Sequence, residues 1–241
     1  MLSNSSIHEK KSLIPKSIFS ASLVKAIGFP LLILALLTPW SEQLDLKMSG
    51  WFYQNGHFSS HIFFEWVYYY GLIPGWIVVG LACLGWILSF LFHSFRQWRR
   101  IFAYLILVLA IGSGLIVHVL LKDHWGRPRP KQTTEFGGQQ SFRAYYHPNF
   151  FQQPEPSKSF PCGHCSMGFY FFTFILLGRH YRRRFLYLLG LALTGGLGGV
   201  LSLSRLAQGG HFFSDIVVSA IIMWLAAFGL YHFMFRRCHL S

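Results

Sequence analysis

Charge is the first thing this chain lacks. Only 12% of its 241 residues are charged, about half the share of a soluble domain. An ordinary solvent-exposed surface is therefore excluded. Acids are scarcer still, 8 against 21 lysines and arginines, which leaves a net charge of +13. Four cysteines, Cys83, Cys162, Cys165 and Cys238, are too few and too scattered for a disulfide scaffold. Nucleotide and metal signatures are missing: there is no P-loop, no zinc spacing and no metalloprotease helix motif. Gly195, Gly196, Gly198 and Gly199 lie inside an apolar run with no strand before them, so they do not read as a dinucleotide fingerprint. Gly195 and Gly199 are instead expected to permit close helix packing in lipid. No repeat or low-complexity tract is visible.

What is present is grease: 53% hydrophobic residues, with 25 Phe, 11 Tyr and 8 Trp. The chain reads as one all-α integral membrane domain over 1–241, since a spanning helix needs about 20 mostly apolar residues and six such runs are present. They cover roughly 22–40, 67–92, 101–121, 163–178, 185–203 and 213–235. The first holds Pro30 and reads as a retained helix, because no small-residue cleavage site follows it.

Short-loop charges orient the bundle. Lys10, Lys11 and Lys16, then Arg96, Arg99 and Arg100, then Arg179 and Arg182 to Arg184, and finally Arg236 and Arg237 fall on one side of six spans. That side, with both termini, is expected to be cytoplasmic. The opposite side collects 41–66, 122–162 and 204–212. The basic charge explains membrane-surface attraction without any nucleic acid. The basic segment 122–162 breaks the loop rule and calls for a separate cause.

That cause lies in three clusters at span ends on one side: Lys122 through Pro130, Pro161-Cys162-Gly163-His164, and Ser204 through Asp215. Ionisable groups at membrane depth are functional candidates. Lys122, Arg129 and Arg205 are three cations with few acids near them, a composition that suits a multiply charged anion such as phosphate. Gly163 lets a ligand approach the backbone, and a helix opening at Cys162, Gly163 and His164 offers free amides to it. His211 and Asp215 are four residues apart, so the carboxylate can orient the imidazole and leave its other nitrogen bare for attack. His164 is a second histidine, able to protonate a leaving oxygen. Phosphoryl transfer on such a set needs no metal and no other cofactor. His118, one turn before Lys122, reads as a packed interfacial histidine.

With these residues the chain resembles the type 2 phosphatidic acid phosphatase superfamily, which spans membrane lipid phosphatases and vanadium haloperoxidases. Its signature is a lysine, six residues and Arg-Pro; then Pro-Ser-Gly-His; then Ser-Arg, five residues, His, three residues and Asp. Lys122 to Arg129-Pro130 fits the first part, and Ser204-Arg205, His211 and Asp215 fit the third. The second part departs, with Cys162 where the family has serine. The resemblance implies a phosphoric monoester or diphosphate hydrolase. In it His211 forms a phosphohistidine, Asp215 orients it and His164 acts as acid, then base. Lys122, Arg129, Arg205, Cys162 and Gly163 hold the phosphate. Because a thiol is a weak donor, Cys162 puts one phosphate contact in question.

The resemblance further implies a bacterial inner-membrane enzyme with its site facing the periplasm. The lipid phosphates it would act on are undecaprenyl diphosphate, phosphatidylglycerol phosphate, phosphatidic acid and lipid A. Trp125-Gly126-Arg127-Pro128-Arg129-Pro130 with Glu135 to Gly138 and Phe160-Pro161 is similar to the lipid A phosphatases of that family. Transfer of the phosphate to another lipid would use the same residues. A haloperoxidase is disfavoured by a small chain almost wholly in the membrane. A transporter is disfavoured by the few ionisable groups in or beside the spans.

Cys162-Gly163-His164-Cys165 also has thiol-exchange spacing. A membrane thiol–disulfide oxidoreductase is the alternative of another class, but Cys83 and Cys238 are badly placed as a relay. Two free thiols are expected; a 162–165 disulfide would instead strain or block the phosphate loop. Finally, 131–160 is long for a connection. Phe136, Phe142, Tyr145, Tyr146, Phe150 and Phe151 make it read as an aromatic lip at the lipid boundary.

Overall fold

In the computed structural model, residues 21–150 and 157–236 are described. Lys10, Lys11, Lys16, Phe151, Arg237 and Cys238 lie outside them. The described chain is helical apart from one hairpin and the 123–162 segment.

Helix α1 (Ala21–Leu37) passes through a tight turn at Thr38–Trp40 into α2 (Ser41–Gly50). The hairpin β1 (Tyr53–Gln54) and β2 (His57–Phe58) pairs Tyr53 with Phe58. Its Asn55-Gly56 turn has φ of 53° and 84°, the two positive angles that this dipeptide adopts readily in tight hairpins. Then follow α3 (Ile62–Tyr70), α4 (Ile73–Leu91), the short α5 (His93–Arg96) and α6 (Arg99–Val108), which continues as a wide-turned helical stretch, Leu109–Lys122. After the loop come α7 (Gly163–Phe169), α8 (Phe172–His180), α9 (Arg184–Ala192), a wide turn at Leu193–Leu197, α10 (Gly198–Ala207) and α11 (Phe213–Tyr231).

Among the described residues five helices are long and apolar enough to cross a membrane: Leu23–Gly50, Ile62–Leu91, Arg99–Lys122, Arg184–Ala207 and Phe213–Phe235. The sixth expected run, 163–178, is broken into α7 and α8 at Tyr170 and Phe171. Both of those rings are fully buried; packing sets the break, and no proline or glycine marks it. The first run also extends ten residues past its expected end at 40, so that the polar α2 stands on top of α1.

The bundle is apolar on its outside. Phe29, Leu81, Leu91 and Phe185 are turned outward, the arrangement expected where the solvent is hydrocarbon. Small and hydroxyl-bearing residues line the inside, as they do where membrane helices meet. Tyr104 donates to the Ala227 carbonyl (3.1 Å) and Tyr170 to the Leu105 carbonyl (3.0 Å), tying α6, α7 and α11. Trp224 Nε1 donates to the Ala26 carbonyl (2.8 Å), holding α1 against α11.

The glycine expectation is corrected. A Cβ at Gly195 or Gly199 would meet nothing within 4 Å. The close approach is instead between α7 and α10, where a Cβ on Gly168 would lie 2.5 Å from the Gly198 Cα.

Candidate active site

The three charged clusters converge where α2, the 123–162 segment and the ends of α7, α10 and α11 meet. A buried ionic network forms the floor. Arg127 is fully buried. Its Nε donates to the Arg143 carbonyl (2.8 Å), its Nη1 to Ser214 Oγ (2.8 Å) and to Asp215 Oδ1, and its Nη2 to Asp45 Oδ2 (2.7 Å). Asp45 also accepts from the Ser214 amide (2.8 Å) and the Ser214 hydroxyl (2.6 Å). Asp215 Oδ2 accepts from Ser159 Oγ (2.6 Å) and from the Phe212 amide (2.9 Å), capping α11. The guanidinium lies over the Phe212 ring, 4.5 Å from its centroid. Every oxygen of both carboxylates thus has a donor, as buried charges require.

His211 sits on this floor, just before α11. Its Nδ1 is 3.6 Å from Asp215 Oδ2, with both side chains buried. That gap exceeds a hydrogen bond, and Nδ1 has no other partner. The two side chains come together although His211 precedes α11, so the expected shared helix face is not what pairs them. Burial pushes the His211 imidazole down to about 3; Asp215 opposes this, while Arg205 and Lys122 add to it. The ring is neutral at pH 7, so one nitrogen keeps its lone pair.

Above His211 stand the cations. Lys122, Arg129 and Arg205 lie within electrostatic reach of one another. Among the described residues none of the three forms an ion pair with a carboxylate. The Nε atoms of Arg129 and Arg205 are buried without a hydrogen-bond partner. Arg205 Nη1 donates to Gln208 Oε1 (2.7 Å). His164 stacks on Tyr68, with centroids 4.5 Å apart, and the Arg205 guanidinium lies 4.9 Å from the same ring. Tyr68 therefore joins the second histidine to one of the three cations, and no motif singles it out. A Cβ at Gly163 would fall 3.3 Å from Lys122 Nζ and 2.6 Å from His118 Nε2, so glycine keeps the start of α7 open toward both.

His118 packs as expected, its Nδ1 donating to the Ser113 carbonyl (2.8 Å), and its Nε2 borders the space that a Cβ on Gly163 would fill. Two expectations change. Cys162 and Cys165 are joined in a disulfide. Two free thiols were expected, but the first turn of a helix brings residues three apart into bonding range. Cys162 Sγ already accepts from the Cys165 amide (3.2 Å), so no thiol is available as a phosphate donor. The bond does not block the loop, since α7 still starts at Gly163 beside Lys122. Lastly, 131–160 is no free aromatic lip. Phe136 packs on Tyr53 and Phe58, Phe142 on Phe212, and Tyr145 on Phe160. Tyr146 and Phe150 remain exposed.

The model of the PAP2 superfamily matches residues 103–238. The chain belongs to the PAP2 superfamily. A protein of Francisella tularensis subsp. novicida (strain U112), named lipid A 4'-phosphatase, is 34% identical over 205 residues, covering 80% of this chain and 87% of the relative. A lipid A 4'-phosphatase of Rhizobium leguminosarum is 31% identical over 128 residues, about half (51%) of each chain. One from Rhizobium etli is 67% identical over a 30-residue stretch, 12% of each chain. No solved structure matches. The phosphoric monoester hydrolase class expected from the motifs agrees with this membership.

Proposed function

We propose that this PAP2 member is a membrane lipid phosphatase that removes a phosphate from lipid A through a phosphohistidine on His211. One observation carries the reading: a buried, neutral histidine stands between a carboxylate and three cations that have no carboxylate partner. Such cations hold a dianionic phosphate and the charge that develops on it. His211 Nε2 attacks phosphorus and the bond from phosphorus to the lipid oxygen breaks. His164 gives that oxygen its proton. Water then attacks the phosphohistidine, His164 takes the water's proton, and inorganic phosphate leaves with His211 restored. Lys122, Arg129, Arg205 and the amides at Gly163 and His164 hold the phosphate throughout.

Lipid access supports the same reading. An apolar groove of about 560 Å³ runs between α4 and the Leu109–Lys122 stretch, lined by Trp76, Val79, Cys83 and Met167, and ends at His118, Gly163 and His164. A chain lying in the membrane can follow it to the cations. In this arrangement α7 and α8 together make a sixth crossing. Arg96, Arg99, Arg100 and Arg182 to Arg184 mark the cytoplasmic side with both termini, and the site faces the periplasm of the inner membrane.

The test is phosphate release by purified protein in detergent with EDTA, across lipid A, undecaprenyl diphosphate, phosphatidylglycerol phosphate and phosphatidic acid. Release that is highest on lipid A, ignores the chelator and vanishes in His211→Ala is expected. An acid-labile phosphoenzyme should accumulate in His164→Ala. Full activity in His211→Ala would overturn the mechanism, and release from the other lipids alone would overturn the substrate.

A further inference from the structure

Asp45 belongs to none of the three motifs, and it lies 82 residues before Arg127 in the chain. Arg127 sits between motif residues but is turned away from Arg129, into the floor. Both are fully buried, and apart from the bond from Arg127 Nε to the Arg143 carbonyl each spends its hydrogen bonds on the other or on the first turn of α11. Through Nη1 the guanidinium reaches Asp215 Oδ1, the oxygen away from His211, while Ser159 and the Phe212 amide hold Oδ2. The rotamer of Asp215 is therefore fixed from two sides.

We propose that Asp45 and Arg127 are positioning residues for His211, acting through Asp215. The inference rests on His211 as the nucleophile. Two things follow from the geometry. The first is aim: with Asp215 clamped, Oδ2 stays beside His211 Nδ1 and presents Nε2 to the cations. The second is charge. Two carboxylates and one guanidinium leave the floor with one net negative charge, which matches the positive charge that the imidazole acquires when Nε2 bonds to phosphorus while Nδ1 keeps its proton. Arg127→Gln leaves two buried carboxylates without a counter-charge. Asp45→Asn leaves the floor neutral. Combining the two restores one net negative charge, although the clamp is gone.

The experiment measures kcat, KM and the inhibition constant of inorganic phosphate for Arg127→Gln, Asp45→Asn, the double variant and Arg127→Lys. It is read beside nitrogen-15 spectra of labelled histidine, with His211 assigned by its loss in His211→Ala. Breaking a buried charge pair on one side is far more damaging than removing both partners. Accordingly kcat should fall about a hundredfold in Arg127→Gln and about tenfold in Asp45→Asn, and the double variant should recover to within about tenfold of wild type. KM and phosphate inhibition should move less than about twofold, because the phosphate cations are untouched. His211 should carry its proton on Nδ1 in wild type and as a mixture of tautomers in Arg127→Gln. Should Arg127→Gln fail to accumulate, Arg127→Lys reads the same split: it keeps the charge and loses the fork.

A double variant slower than both singles, or phosphate inhibition that weakens in step with kcat, would overturn the proposal. So would an unchanged His211 tautomer in Arg127→Gln and Arg127→Lys. The spectra need no turnover, so they decide this point even if wild type releases no phosphate from any lipid, an outcome that would defeat only the proposed function.

Discussion

Two arginines two residues apart live opposite lives. Arg127 makes four hydrogen bonds, giving protons to two carboxylates, a hydroxyl and a carbonyl. Arg129 keeps its buried Nε without a partner and has other cations for neighbours. Each is followed by proline, whose ring biases the residue before it toward extended backbone. A regular strand would put residues two apart on one face, so strand alternation does not separate them; one arginine is held in the floor by the carboxylates it meets there, and the other stands in the pocket. A cation whose charge is met by carboxylates builds structure; a cation left among its own kind waits for an anion.

The comparison can be broken most sharply on the pocket side. Arg205→Ala should lower kcat/KM for a lipid phosphate about 10²- to 10³-fold, the scale of removing one charge-stabilising donor from an active site. Thermal stability of the detergent-solubilised protein should hardly change or should rise, because a like-charge neighbour of Arg129 has gone. Replacing a floor residue should do the reverse to stability, so paired melting curves of Arg205→Ala and Arg127→Gln separate holding from binding.

Reduction of the Cys162–Cys165 disulfide is expected to be milder. The bond clamps the first turn of α7, where Gly163 and His164 face the cations, so a thiol reductant should slow phosphate release by about tenfold or less. Cys162→Ser with Cys165→Ala should show that rate with or without reductant. A reductant-sensitive rate in this double variant would place the effect elsewhere.

The smallest effect is a slope. An unfolded chain protonates its histidines near 6.5, whereas burial holds His211 at about 3. The unfolded state therefore takes up a proton that the folded state refuses as pH falls. The stability that this group confers is fully present above about 6.5 and is lost toward 3, a loss of about 2 kcal/mol by pH 5. His211→Gln should flatten the acid side of a plot of Tm against pH by that amount.

The pocket side was legible in the sequence, and the floor was not. Lys122, Arg129, Arg205, His211 and Asp215 stand at fixed spacings with a chemical reason behind each. Arg127 looks like one more arginine between prolines, and Asp45 looks like a loop acid, because the meaning of each is the other, far away in the chain. The one available signal was cost: an aspartate next to a 17-residue apolar helix is expensive unless something takes its charge. Tyr68 is one of three tyrosines in a row, and only packing singles it out. The helix break at Tyr170 and Phe171 is likewise hard to see in the sequence, where phenylalanine stands on both sides of it. The bond between Cys162 and Cys165 was compatible with their spacing, yet spacing alone fits a dithiol equally well.

Asp45 and Tyr68 both lie before residue 103, where the match to the family model begins. The residues expected to touch phosphate fall inside the matched stretch, while a supporting carboxylate and an aromatic shelf fall outside it. A fragment excised at the border of the family match would keep every motif, yet leave Arg127 with a single carboxylate and His164 without the ring it stacks on. For anyone transplanting or trimming this enzyme, the unit to be moved is wider than the signature that identifies it.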